Sequence, residues 1–140
     1  MANESLTLQN VPGAKDLIEW LGSWPTFHDA EILEIQLCRS KSSKIVLHTW
    51  RMTENTDETG KYVLEKNVIV TLKLGTITDL ELQGFSNQNV IADLLIKSAK
   101  NEHQITLSPC FGVAGDIFAT DLSIEFVAGE PERVVTQSKT

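Results

Sequence analysis

Residues 24–33 hold the side chains of this chain that are best suited to chemistry. His28 lies directly before Asp29, and Glu31 follows two positions later. A histidine beside carboxylates can act as a general acid or base, or can bind a metal ion. The same residues also suit a structural role, in which Asp29 closes the turn after Pro25 as a buried hydrogen-bonding partner and His28 bonds the backbone. We favour the structural role, because no nucleophile or further metal ligand accompanies the cluster.

The remaining histidines and the two cysteines do not complete a metal site. His48 and His103 could supply ligands, but nothing in their spacing indicates that they do. Cys38 and Cys110 lack the CxxC spacing of zinc sites, and we expect both to be buried thiols. The sequence also contains no phosphate-binding loop, dinucleotide fingerprint or nucleophile elbow. We therefore expect no catalytic residue, no metal and no cofactor.

Two further groups of side chains could contribute to a site. Aromatic residues around residues 24–33 could line a pocket, although such residues more often fill the core: Trp20, Trp24, Phe27 and Trp50. Gln88 and Asn89 follow Gly84 and Phe85, and we expect a turn in which the amide side chains bond the backbone.

Residues 53–60 are predicted to form an acidic loop between two strands. The loop carries Glu54, Asp57 and Glu58 and contains no basic residue. A loop of this kind can be merely solvated, or it can meet a basic surface on a partner protein. We keep these three acids as candidate contacts, together with His28, Asp29 and Glu31.

The overall composition favours a single acidic, globular domain. The chain has 140 residues, 41% hydrophobic and 22% charged, which is enough to fill one core. Its formal net charge of −7 and the lack of a basic cluster argue against a nucleic-acid partner. No apolar run is long enough to span a membrane, and residues 1–5 lack the features of a signal peptide. We therefore expect a cytoplasmic protein with no membrane partner.

A single helix is predicted near the N-terminus. Leu17, Ile18 and Leu21 form one apolar stripe over residues 14–21, and Gly22 provides a stop signal. A helix this short is marginal alone, so it must pack on the rest of the domain.

The rest of the domain is predicted to be strands. Apolar and polar residues alternate, so that Leu33, Ile35 and Leu37 share one face of the first strand. Residues 90–98 also fit a helix, but their neighbours favour a strand. The predicted strands cover residues 30–39, 45–52, 62–74, 77–85, 90–98, 103–110 and 117–127, the last with Phe118, Leu122, Ile124 and Phe126 on one face.

The predicted architecture is an α+β domain at residues 1–129. Short links between about seven strands imply a curved, mainly antiparallel sheet partly covered by the helix. Residues 130–140 are predicted to be a disordered tail.

Residues 24–32 resemble a family signature, and the resemblance extends over about residues 16–128. The stretch reads Trp24-Pro25-Thr26-Phe27-His28-Asp29-Ala30-Glu31-Ile32. It is similar to the signature of the immunity protein 50 family of bacterial polymorphic-toxin systems. The strand at residues 48–52, the acidic loop to Gly60 and residues 80–85 and 88–90 agree with the same pattern. The resemblance implies a sheet-rich α+β fold and neutralisation of a cognate toxin made by the same or neighbouring cells.

Our first hypothesis is accordingly a binding protein, a cytoplasmic immunity protein that occludes the active site of a cognate toxin. Such an inhibitor needs a rigid, complementary surface and no catalytic residue. Two alternatives stay open: a small hydrolase or metal-dependent enzyme built on His28, Asp29 and Glu31, and a structural domain that self-associates as a homodimer through an exposed sheet edge.

Overall fold

Within the part of the chain that the structure describes, the fold is an α+β domain with one helix and one antiparallel sheet, as predicted. The computed structural model describes residues 11–56, 62–99 and 102–131, and of residues 51–56 and 62–66 only the backbone. No helix in these ranges is long and apolar enough to cross a membrane. The elements are α1 (Ala14–Leu21), β1 (Ala30–Gln36), β2 (Ser43–Thr56), β3 (Tyr62–Leu74), β4 (Ile77–Gln83), β5 (Val90–Ala99), β6 (Glu102–Phe111), β7 (Ala114–Ala119) and β8 (Leu122–Ala128).

The strand order requires a strongly curved sheet. The eight strands lie in the order β4-β7-β6-β5-β1-β2-β3-β8. Only Gly75 and Thr76 separate β3 from β4, and only Thr120 and Asp121 separate β7 from β8. At this corner the Gly75 N–H donates to the Asp121 carbonyl (3.0 Å) and the Thr120 N–H to the Thr76 carbonyl (2.9 Å). The segment formed by β3 and β4 and the segment formed by β7 and β8 therefore bend together, which brings the two ends of the sheet towards each other.

Helix α1 packs on the β8 end of the sheet and has the predicted limits. Its apolar stripe buries Ala14, Leu17 and Leu21. Gly22 ends the helix in the left-handed region (φ 102°), where glycine has no steric penalty, and its N–H donates to the Ile18 carbonyl at 2.8 Å. The segment before the helix covers the outer edge of β8, because the Ile124 N–H donates to the Pro12 carbonyl at 2.8 Å.

Alternate residues of the central strands form the core. In β2 and β3 the inward residues are opposite each other, as in the pairs Ile45–Leu72 and Leu47–Val70. Strand β5, the segment that also fitted a helix, is confirmed as a strand, with Ile96 paired to Ile105 of β6. Ile105 and Leu107 face inward as predicted.

The predicted inward face of the first strand is only partly correct. Ile35 packs against the core and is opposite the buried Ile45, as predicted, but Leu33 and Leu37 do not face inward. A register shift between Ile32 and Glu34 marks a bulge in β1, and it reverses the alternation that the sequence suggests. Ala30 and Ile32 are buried, whereas Leu33 and Leu37 are 38% and 46% exposed. Glu31 lies on the outward face.

Two other strand predictions need correction. Residues 117–127 form the end of β7 and most of β8 rather than one strand, because the chain bends at Thr120 and Asp121. Across the bend the alternation is reset, so that Ile117 is buried and Phe118 is only half-buried. Strand β2 extends to Thr56, so the first half of the predicted acidic loop has strand backbone.

Candidate functional site

The segment between α1 and β1 forms one wall of an open pocket. The pocket has a volume of about 340 Å³, and Trp24, Thr26, His28, Asp29 and Trp50 are among the residues that line it. Both tryptophans are half-buried, so each presents part of its surface to the pocket. Two of the four aromatic residues considered from the sequence therefore line a pocket.

A strained turn sets the direction of each side chain in this segment. Phe27 (φ 58°) and Asp29 (φ 66°) both adopt left-handed backbone, which is unusual for residues other than glycine. The Ala30 N–H donates to the Phe27 carbonyl at 3.1 Å, and the Asp29 N–H donates to the Ile91 carbonyl of β5 at 2.9 Å. The Phe27 ring is fully buried and lies edge-on to Trp24, with 5.6 Å between ring centroids. The buried ring anchors the turn, and the neighbouring His28 and Asp29 are directed outward.

His28 bonds the backbone, as the structural interpretation expects. Its Nδ1 lies 3.2 Å from the Ala92 carbonyl oxygen and must donate to it, and its own N–H donates to Thr26 Oγ1 at 3.2 Å. Its Nε2 lies 3.7 Å from Asp29 Oδ2, an ion pair when the imidazole is protonated. The side chains of His28 and Asp29 are 67% and 54% exposed. The expectation that Asp29 is a buried hydrogen-bonding partner is thus wrong, and its structural contribution lies in the backbone.

Cys110 places a thiol beside Asp29. Its Sγ–H donates to Asp29 Oδ1 at 3.7 Å. Partial desolvation of the sulfur and the adjacent Asp29 carboxylate raise the pKa of the Cys110 thiol, although the residue as a whole is exposed. The prediction of two buried thiols is wrong, since Cys110 is exposed and Cys38 is half-buried. No local pattern in the sequence predicts the Cys110–Asp29 contact, because it joins residues far apart in the chain.

Glu31 faces a different group of side chains from His28. In the ladder it is opposite His48 of β2 and Val90 of β5. His48 Nε2 lies 3.0 Å from Asn67 Oδ1, and the His48 ring centroid is 5.5 Å from that of Trp50. The outward face beside the pocket therefore carries Glu31 together with a histidine, an amide and a tryptophan. His48 and Trp50 are two residues apart in β2, the spacing that places two side chains on one face of a strand.

Asn89 fixes the neighbouring loop, as expected for that polar turn. It is only 2% exposed, and its Oδ1 accepts from the N–H groups of Ser86 and Val113, both at 3.0 Å. Its Nδ2 donates to the Ser86 carbonyl at 2.8 Å. The Asn89 carbonyl accepts from the Ile32 N–H of β1 at 2.8 Å, so the loop also supports the start of that strand.

The structure separates the other candidate residues. Within residues 11–56, 62–99 and 102–131 no three His, Cys, Asp or Glu side chains are placed to share a metal ion. His103 bonds Ser98 Oγ at 2.6 Å, well apart from the pocket, and its burial lowers its pKa while the Asp121 carboxylate opposes the change. Glu54 has strand backbone in β2, but its side chain, and all of Asp57 and Glu58, lie outside the described part of the chain.

Comparison with known proteins gives one informative result. No curated protein and no solved structure matches the chain. The model of the family described as Immunity protein 50 matches residues 13–128. The match spans well over half of the chain, from the start of α1 to the end of β8, and includes the whole pocket segment. The chain therefore belongs to the immunity protein 50 family.

Proposed function

We propose that this protein is a cytoplasmic bacterial immunity protein that neutralises a cognate toxin by binding it directly, without catalysing a reaction. Its family suggests neutralisation of a toxin. The protein binds the toxin directly, and part of its contact surface is the group of pocket-lining residues Trp24, His28, Asp29 and Trp50, which we call the corner.

The observation that carries the proposal is the fixed, exposed display of polar groups beside a pocket. His28 and Asp29 are more than half exposed, yet their backbone is tied to β5 by the Asp29–Ile91 bond. Because the turn is already ordered, a partner that binds there has little conformational entropy to remove. Half-buried tryptophans such as Trp24 and Trp50 are frequent binding hot spots, since they bury a large area in a single contact.

The charge of the chain favours a basic partner. The formal net charge is −7, and the corner displays Asp29 with Glu31 nearby on the outward face. Complementary charge speeds association and disfavours wrong partners more than it strengthens the final complex. We therefore infer a toxin whose contact surface is basic.

The test uses the product of a neighbouring toxin gene, which we expect beside the gene for this protein. We expect the purified pair to form a stable complex and the protein to protect cells that express the toxin. A double variant, His28→Ala with Asp29→Asn, should weaken binding by about tenfold or more, because it removes the imidazole and the carboxylate displayed beside the pocket. Asn tolerates the left-handed backbone at position 29, and urea denaturation of the variant checks that loss of the His28–Ala92 bond leaves the fold intact. Glu130→Gln, which also neutralises one exposed carboxylate and breaks no ion pair among the described residues, serves as the control.

Two results would count against this assignment. If wild-type protein forms no complex with the toxin, direct binding is wrong. If the double variant binds as tightly as wild type, the corner is outside the interface, even though the protein remains a binding protein.

The enzyme alternative predicts a different result. His28 and Asp29 line the pocket and Glu31 is not among its lining residues, and within the described ranges no three His, Cys, Asp or Glu side chains are placed to share a metal ion. Elemental analysis of protein purified without a histidine tag would detect a bound metal. One metal per chain, lost in His28→Ala, would favour the enzyme.

A further inference from the structure

The edge of the sheet formed by β4 has backbone groups available for pairing. Among the described residues β4 pairs only with β7. The Glu81 carbonyl faces β7, where an added Cβ on Gly115 would lie 1.9 Å from its oxygen. Because the direction alternates along a strand, the N–H and C=O groups of Leu80 and Leu82 point to the open side. The Leu80 N–H donates to the side chain of its neighbour, Asp79 Oδ1, at 2.8 Å.

The opposite end of the sheet differs. There the edge strand β8 is covered by the segment before α1, through the bond from Ile124 to Pro12. An open edge with unpaired backbone groups is a template for another strand.

The side chains of β4 define what kind of strand would fit. Asp79 and Glu81 are exposed on one face, and neither forms an ion pair with any described residue. On the other face Leu80 is 37% exposed and Leu82 is half-buried against the core. A complementary strand would present basic side chains to the first face and apolar side chains to the second.

We propose that β4 is a docking edge for an extended segment of a partner protein in which Lys or Arg alternates with Val, Ile or Thr. A backbone carbonyl of that segment replaces Asp79 Oδ1 as the acceptor for the Leu80 N–H. The released Asp79 carboxylate then pairs with a basic side chain directly opposite, and a second basic side chain pairs with Glu81. The exposed part of Leu80 is covered by the apolar residues of the same segment.

Two registers of pairing with a second copy of this chain are disfavoured at the edge. Two-fold antiparallel pairing centred on Leu80 would place Asp79 opposite Glu81 of the copy. Pairing centred on Glu81 would place that residue opposite itself. Like charges directly across a ladder are destabilising, so a basic partner segment fits the edge better than a second copy in either register.

The docking edge is separate from the corner pocket and does not depend on the identity of the toxin. It is tested with a capped ten-residue peptide of alternating Lys and Val, and with a matched peptide that carries Glu in place of Lys. We expect the amide hydrogens of Leu80 and Leu82 to exchange rapidly in the free protein and about tenfold or more slowly with saturating Lys peptide. Binding should weaken as salt increases, and the Glu peptide should not bind.

Two variants make the test specific to the edge. Leu80→Pro removes the outward N–H without removing a bond to β7, and should abolish peptide binding. Where that variant does not fold, Asp79→Asn with Glu81→Gln should lower the affinity for the Lys peptide by about tenfold while leaving the fold intact.

Several outcomes would overturn the proposal. Protection of the Leu80 and Leu82 amides in the free monomer would mean that residues of the chain itself already cover the edge. Equal binding of the two peptides, or unchanged binding to Leu80→Pro, would place the peptide elsewhere. A dimer that Leu80→Pro dissociates would assign the edge to a second copy.

Discussion

Replacement of Asp29 separates the contribution of its backbone from that of its side chain. Its carboxylate is 54% exposed, and among the described residues it makes a long contact to Cys110 and a 3.7 Å approach to His28. Exposed contacts of this kind contribute little to stability. Its backbone, in contrast, has φ 66° and donates to Ile91 at 2.9 Å. We therefore expect the left-handed conformation to dominate the effect of substitution.

The expected magnitudes follow from that conformation. Placing an ordinary L-residue in the left-handed region costs about 1–2 kcal/mol, and Asp and Asn tolerate it better than Ala. Asp29→Ala should therefore lower the free energy of unfolding by about 1 kcal/mol. Asp29→Asn should be close to wild type, and Asp29→Gly should be at least as stable as the Ala variant, because glycine adopts positive φ without a steric penalty.

The informative comparison is Ala against Gly, measured by urea denaturation. Asp93 provides the matched control, since it is an exposed aspartate in β5 and is not among the residues with positive φ. At Asp93 the Gly variant should be less stable than the Ala variant by about 0.5–1 kcal/mol. At Asp29 the order should reverse. If Ala is more stable than Gly at both positions, the backbone explanation is wrong.

Three further predictions concern other parts of the fold. Gly115→Ala should destabilise the protein by about 2–3 kcal/mol in thermal denaturation, because the new Cβ would clash with the Glu81 carbonyl. The control is Gly129→Ala, which is also at positive φ but has no atom within 4 Å of the new Cβ, and it should lower the stability by less. Burial lowers the folded-state pKa of His103, so the stability that neutral His103 contributes should be fully present above pH ~6.5 and should be lost as pH falls towards the folded-state pKa. In urea denaturation across pH 5–8, the free energy of unfolding of His103→Gln should therefore depend less on pH than that of wild type. If the toxin is basic, neutralising three acids together should slow association by about tenfold at low salt in stopped-flow measurements and leave stability almost unchanged; these acids are Glu54, Asp57 and Glu58.

The elements that the sequence predicted best are those with local signals. The apolar stripe and Gly22 placed both ends of α1 at the observed residues. Alternation over most of its length did the same for β3, Tyr62–Leu74. In both cases the deciding interactions lie within the element or at its ends, so a single chain segment contains the necessary information.

The elements that it predicted poorly depend on pairing between distant segments. The bulge in β1 is set by the partner strand β2, and it reverses the faces of Leu33 and Ile32 without any glycine or proline to mark it. The bend at Thr120 and Asp121 depends on hydrogen bonds to Gly75 and Thr76. Neither feature has a strong local sequence signal, so the alternation of apolar residues predicts continuous strands across the bulge and across the bend.

The candidate site likewise combines features with local sequence signals and features that depend on distant segments. Clustering in the sequence correctly drew attention to His28 and Asp29, and the turn chemistry correctly predicted bonding of His28 to the backbone. Its acceptor, Ala92, and the thiol beside Asp29 come from strands more than sixty residues away along the chain. These contacts depend on strand order, which the sequence alone does not specify.

The division of residues 25–32 between core and surface bears on where specificity for a toxin can reside. Pro25, Phe27, Ala30 and Ile32 are buried, so substitutions there would act first on the fold. His28 and Asp29 are exposed, but the turn also requires a residue that tolerates left-handed backbone at position 29. Few positions in this stretch can therefore change without cost to the structure. A surface that must distinguish one toxin from another needs more freedom than that. If the corner contacts the toxin as proposed, discrimination between toxins must therefore depend on exposed residues outside this stretch.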